Sequence, residues 1–297
     1  MTEKDPPPPT PGIAEDRPDP WQVCMTLTTP VSGSDVLHRN NVTLSGNPTG
    51  RPIVFVHGFG CSQEMWHAVT PHFEADHRVV LIDLVGAGGS DVTAYDPVKY
   101  DSLHGYADDI LEIMAALDLR DAVYVGHSVA ATIGVLAETT DASRFGALVL
   151  VAPSPRYIDD DEYRGGFERA DIEGLLDALD ANYFGWSQTM APLIMGNAER
   201  PDLGRQLTDS FCTVDPEIAR HFARVTFLSD NRRDLSAVRT RTLVLQCSDD
   251  VIAPATVGRY VHEQISTSRL VQLAATGHCP NLSAPDELTQ AITEFIR

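Results

Sequence analysis

Basic residues are scarce. The 297-residue chain has 22 Lys and Arg against 42 Asp and Glu, a formal net charge of −20, and such a surface repels phosphate backbones and anionic lipid heads. Binding to nucleic acid or to a membrane surface is therefore not expected. Cysteine is sparse as well. Cys24, Cys61, Cys212, Cys247 and Cys279 are odd in number, widely separated and never in Cys-x-x-Cys spacing, which argues against a disulfide framework or a zinc knuckle. Long apolar runs are missing. The longest, such as Ile53 to Val56, Val79 to Ile82 and Ala147 to Ala152, have strand length, far short of the roughly 18 residues that cross a bilayer. No basic stretch followed by an apolar one opens the chain, so no secretory signal is visible and a cytoplasmic location is expected. What is present, 43% hydrophobic residues, is ample for a large core.

The first twenty residues hold seven of the twenty prolines, with a run from Pro6 to Pro9, five acids and two bases. Residues 1–34 are expected to be a proline-rich, disordered or polyproline-like tail. Beyond it, short β-branched runs alternate with turns and amphipathic stretches, the pattern of an α/β domain with a mostly parallel central sheet flanked by helices. Ile53 to Val56, Val79 to Ile82, Ala122 to Val125, Ala147 to Val151, Thr242 to Leu245 and Leu270 to Leu273 are the predicted strands, most of them apolar on both faces as buried parallel strands are. Helical spacing marks Tyr106 to Leu119, Ala131 to Glu138 and Pro285 to Arg297. Between Pro153 and Ser236 no convincing strand is found, only short amphipathic segments rich in aromatics. A structureless loop of that length is improbable in a compact domain. The reading is a core of residues 35–152 and 237–297 with a helical lid, residues 153–236, inserted in it.

Gly126-His127-Ser128-Val129-Ala130 follows a predicted strand and precedes a predicted helix. That is the context of a nucleophile elbow, where a sharp turn lifts the serine Oγ clear of the sheet and small neighbours let the backbone pass. The helix that follows brings its positive end to the site. Ala130 stands where the usual motif has glycine, and by itself the pentapeptide fits an ordinary turn serine equally well. Order along the chain shifts the balance. One later strand runs into Cys247-Ser248-Asp249-Asp250 and another into Thr276-Gly277-His278, giving serine, acid, histidine in sequence, each just beyond a strand end where open α/β sheets place their chemistry. Either Asp249 or Asp250 could be the acid. An oxyanion hole in such a fold takes one backbone N–H from the residue after the nucleophile, Val129, and one from the loop after an early strand, where Phe59 of His57-Gly58-Phe59-Gly60 is the natural donor. Asp83-Leu84-Val85-Gly86-Ala87-Gly88-Gly89-Ser90 fails the dinucleotide fingerprint, since Asp91 occupies the third glycine position, and it has no P-loop lysine.

These residues carry a resemblance. From about Leu37 onward the chain is similar to the α/β-hydrolase family. The likeness is nearest to the RsbQ-type energy-stress regulators and more distant to the plant karrikin and strigolactone receptors. It is carried by Gly58-Phe59-Gly60-Cys61, Asp76-His77-Arg78-Val79, Gly126-His127-Ser128-Val129, Ser154-Pro155, Gly165-Gly166-Phe167-Glu168, Asp215-Pro216 with Ile218-Ala219-Arg220, Ile252 to Gly258 and Gly277-His278-Cys279-Pro280. The resemblance implies an α/β-hydrolase fold with a four-helix lid over a small apolar pocket. It also implies Ser128 as nucleophile, His278 as base and Asp250 as acid, the last because the family acid stands four residues before a proline, here Pro254. Phe59 and Val129 match the oxyanion donors, and Tyr157, Trp186, Met190 and Phe227 match lid and pocket positions.

The implied activity is serine hydrolysis of a small, mostly apolar, neutral ester or lactone through an acyl-enzyme, without cofactor or metal. The alternative is a ligand-sensing regulator whose output is contact with a signalling phosphatase. Other candidates read blandly. His67, His72 and His77 are five residues apart, a spacing that does not place ligands on one helix face. Asp159-Asp160-Asp161-Glu162 reads as a solvated acidic run. Cys61 and Cys279 read as small buried residues, and His127 as a structural side chain leaving the elbow away from the chemistry.

Overall fold

The computed structural model describes Met1 and residues 35–297; the expected proline-rich tail lies outside the described residues. In chain order the elements are α1 (Asp35–Arg39), β1 (Thr43–Gly46), β2 (Arg51–Val56), β3 (His77–Ile82), α2 (Leu103–Ala116), β4 (Ala122–His127), α3 (Val129–Thr140) and β5 (Phe145–Val151). They continue with α4 (Arg169–Ala181), α5 (Tyr183–Met195), α6 (Pro201–Cys212), α7 (Pro216–Phe227), β6 (Thr242–Gln246), α8 (Ala255–Gln264), β7 (Ser268–Gln272), α9 (Pro280–Ser283) and α10 (Pro285–Ile296). The strands form one sheet in the order β1-β3-β2-β4-β5-β6-β7. Among the described residues, only β1 runs antiparallel to its neighbour.

The period-two geometry of a strand sends alternate residues to opposite faces, and here both faces are buried. Ile53, Phe55, Val123, Val125, Val149, Leu243 and Leu245 enter one core with residues of α4 to α7 and α10. Val54, Val56, Tyr124, Leu148, Leu150 and Val244 enter the other with residues of α1, α2, α3 and α8. Continuous apolar runs are what such strands require, which is why they stand out in the sequence. β1 escapes that reading: it is a four-residue edge strand whose residues are half-buried or exposed. The other edge strand, β7, is half-exposed; it starts two residues and ends one residue earlier than its apolar run indicated, since an edge needs only one buried face.

Between β5 and β6 the chain leaves the sheet for residues 153–236, which contain α4 to α7. Each start has a local cause. At α4 a capping box joins Glu168 and Asp171. At α5 the Asn182 side chain accepts from the Gly185 amide, and at α7 Asp215 accepts from the Glu217 and Ile218 amides with Pro216 at the first helical position. α5 packs on α4 and α6, and α4 packs on α7. No helix among the described residues is long and apolar enough to cross a membrane.

The turn between β4 and α3 is fixed by close approach. A Cβ on Gly126 would lie 2.4 Å from the Ala130 carbonyl oxygen and 2.7 Å from the Tyr124 ring. Tyr124 donates its hydroxyl hydrogen to that same carbonyl at 2.8 Å. Gly126→Ala is therefore expected to push β4 and α3 apart and lower stability by about 1–3 kcal/mol, read as a lower urea midpoint; an unchanged midpoint would contradict this account of the turn.

Candidate active site

Ser128 occupies the single residue between β4 and α3, with φ 57° and ψ −122°. A non-glycine residue there is strained, and the surroundings hold it: its amide donates to the Val151 carbonyl at 2.8 Å, and the strand before and helix after it are buried. The strain points Oγ away from the sheet towards His278. Ser128 Oγ lies 2.7 Å from His278 Nε2, and His278 Nδ1 lies 2.8 Å from Asp250 Oδ2. Asp250 Oδ1 accepts from the amides of Ile252 and Ala253 at 2.8 and 3.0 Å. Burial opposes charge on Asp250, but His278 beside it and these hydrogen bonds outweigh burial and hold its carboxyl below the ordinary value.

Asp249, the other acid of that loop, has an exposed residue position, and its carbonyl accepts from the Gly277 amide at 2.7 Å. It braces the histidine loop through its backbone. The His278 amide donates to the Ile194 carbonyl of α5 at 2.9 Å, so the base loop is tied to the inserted helices as well. Val129 opens α3, where a helix N–H has no partner within the helix. Phe59 lies on the loop after β2, and its ring packs among Trp186, Phe211, Phe222 and Phe227 at centroid distances of 5.7–6.2 Å.

A cavity of about 30 Å³ opens on Ser128 and His278. Tyr157 and Phe227 line it, but Trp186 and Met190 do not. Trp186 stacks on Phe211 at 5.9 Å one layer behind the wall, and Met190 is a partly buried residue packed against the core. The sequence reading lacked Ile194, Leu207, Phe211, Thr226 and Ile252, which complete the lining together with Cys61 and Cys279. For Ile194, Leu207, Phe211 and Thr226 the only sequence signal is helical periodicity, which marks a buried face without saying what it faces, and Ile252 lies in the loop between β6 and α8. Among the described residues, no Lys, Arg, Asp or Glu lines the cavity. Burial pushes the Cys61 thiol up to about 12 and raises Cys279 as well, so neither competes with Ser128 as a nucleophile at neutral pH.

His127 does not leave the chemistry behind, as its position before the nucleophile led us to expect. Its ring centroid is 5.1 Å from that of His278, and its Nε2 lies 2.8 Å from the His278 carbonyl oxygen. That contact requires Nε2 to carry the proton and donate it. On the other side, a Cβ on Gly58 would lie 2.8 Å from His127 Nδ1, so only glycine lets the loop after β2 pass. One imidazole thus braces the serine turn, the histidine loop and the loop that carries Phe59. Burial, followed by the neighbouring His278, lowers the His127 pKa to about 3, and the ring stays neutral.

The α/β hydrolase family profile matches residues 53–291, and the chain is 39% identical to the strigolactone esterase of Arabidopsis thaliana over 88% of this chain and 97% of that one. The chain belongs to the α/β hydrolase family. This hydrolase is also 34% identical to a karrikin insensitive 2 receptor of Petunia hybrida, over 87% of this chain and 95% of that one. Among solved structures, a hydrolase from Oleispira antarctica matches it with a TM-score of 0.86 and 39% identity, covering 88% of this chain and 96% of that one. The expected superfamily, fold and receptor-type relatives agree with these likenesses.

A buried base with a lowered pKa takes up its proton later in the folded than in the unfolded chain as pH falls. The stability that neutral His127 carries is therefore complete above about 6.5 and is lost as pH drops towards the folded value of about 3. Its share of the slope is up to about 1.4 kcal/mol per pH unit. His127→Gln, which keeps a donor near Nε2 but does not titrate, should flatten acid unfolding across that window. His127→Leu should instead lower kcat by about 10- to 100-fold through misplacement of His278, with KM little changed. Equal activity of the Gln and Leu variants would remove the donor role.

Proposed function

We propose that this α/β hydrolase cleaves a small, neutral, mostly apolar ester or lactone through an acyl-enzyme on Ser128. The reading is carried by one arrangement: a hydrogen-bonded chain from Ser128 through His278 to buried Asp250, opening on a cavity whose lining includes no Lys, Arg, Asp or Glu. His278 accepts the hydroxyl proton as Ser128 Oγ attacks the carbonyl, and Asp250 fixes the imidazole tautomer and stabilises the imidazolium. The carbonyl oxygen becomes an oxyanion opposite the amides of Phe59 and Val129. When it reforms the carbonyl, the bond to the leaving oxygen breaks and that oxygen takes the proton from His278. Water then repeats the sequence: it gives its proton to His278, attacks the acyl carbon, and releases the acid with Ser128 restored. The loss of one oxyanion donor typically costs about 2.7–4 kcal/mol.

In this proposal α4 to α7 act as a lid, since Phe227 and Leu207 close the cavity from above the serine and Ile194 holds the His278 loop. The net charge of −20 and the lack of a cation in the cavity lining among the described residues both disfavour anionic substrates. A second reading, a ligand sensor, is favoured by the relatives named karrikin insensitive 2 receptors. In it the same serine processes or holds a small molecule and the lid presents the result to a signalling partner; the finer assignment of a protein phosphatase as that partner rests on the RsbQ-type motifs.

Labelling by a fluorophosphonate probe should occur on the native chain and vanish in Ser128→Ala, with ester turnover lower by at least about 10³-fold. Persistent labelling of the variant would take Ser128 out of the proposal. Asp250→Asn should lower kcat by about 10⁴-fold, and Asp249→Asn by no more than a few-fold. The reverse ranking would move the acid to Asp249. For the second reading, ligand-dependent recovery of a phosphatase on immobilised Ser128→Ala is the supporting result, and fast turnover of simple esters with no such recovery favours the plain enzyme.

A further inference from the structure

The cavity at Ser128 is small, about 30 Å³. A second cavity of about 250 Å³ lies beside it, between the segment after the Phe59 loop and α6. The two share Cys61 and Leu207 in their linings. Although each borders two voids, Cys61 is 3% exposed and Leu207 1%, so these two side chains fill the space between them. The arrangement is fastened: Ser210, one turn after Leu207 on the same face of α6, donates from Oγ to the Gly60 carbonyl at 2.9 Å.

The character of the second cavity differs from that of the first. Its apolar lining is Cys61, Met65, Leu207 and Leu282, set beside uncharged polar side chains, and Glu64 and Asp209 line it at exposed positions. An apolar wall with an acidic rim accepts an uncharged hydrocarbon end and repels a terminal carboxylate. The acyl half of an ester is the part that needs such room, because it stays bonded to Ser128 while the leaving group departs and water enters.

We propose that Cys61 and Leu207 form an internal partition that sets acyl-chain length, and that the second cavity is the subsite for the far, uncharged end of a linear acyl chain. The proposal rests on the hydrolase reading above. Neither residue reacts; each acts by volume. One methylene's worth of fit in such a pocket changes discrimination by about tenfold or more, so trimming the partition should register clearly in a chain-length series.

The test uses the full chain and the p-nitrophenyl esters of acetate, butyrate, hexanoate and octanoate. For the native protein kcat/KM should fall with length. Leu207→Ala and Cys61→Ala should each raise the ratio of octanoate to acetate kcat/KM by about tenfold. Thr213→Trp, which fills the second cavity from its exposed edge, should cancel the gain when combined with Leu207→Ala. Leu207→Val keeps the comparison available where the alanine variant does not fold. Ratios within about twofold of native in both trimmed variants, or a gain that Thr213→Trp leaves intact, would overturn the proposal. Absence of both ester turnover and fluorophosphonate labelling in the native chain would instead remove the hydrolase reading, and the partition with it.

Discussion

A serine held at φ 57° between a buried strand and a buried helix is the constraint on which the rest of the site depends. The conformation is costly for a residue with a Cβ, and the structure offsets that cost around it. Gly126 lets β4 and α3 approach, the Val151 carbonyl takes the serine amide, and Tyr124 fastens the first turn of α3. The return is positional. Oγ stands at hydrogen-bonding distance from His278, and Val129 opens α3 at the next position.

The other two members of the chain reach that point from loops, which are the less rigid parts of any fold, so they need bracing. Asp250 is braced by two amides of its own loop. His278 is braced by three different elements: the Ile194 carbonyl on α5 takes its amide, Asp250 takes its Nδ1 hydrogen, and His127 donates to its carbonyl. The contact with α5 couples His278 directly to the inserted helices. A displacement of α5 would therefore act on the imidazole, a physical link between what the insert does and what the serine can do.

Much of the core was legible because it obeys local rules. A strand buried on both faces must be apolar throughout, and a helix over it must repeat its apolar residues every three to four positions. β2 to β6 and α2, α3 and α10 follow those rules and could be read from residues alone. β1 could not: an edge strand with half-buried residues has no such signature. The cavity wall was only partly legible. Tyr157 and Phe227 line it, but Trp186 turned out to lie one layer back, stacked on Phe211, because an aromatic in an amphipathic helix can equally face a cavity or the packing behind it.

The sequence by itself marked the buried strands of the sheet, the elbow and the order of serine, acid and histidine, because the strands and the elbow each depend on residues within a few positions along the chain and the order is the sequence itself. It left two aspartates side by side and could not choose between them on residues alone. Tertiary structure separates them, turning Asp250 inward to His278 and leaving Asp249 exposed, which depends on where a loop 28 residues away in sequence comes to rest. It also decided the roles of His127, Cys61 and Leu207. Each owes its position to contacts between segments remote in the chain, and no local pattern records such contacts.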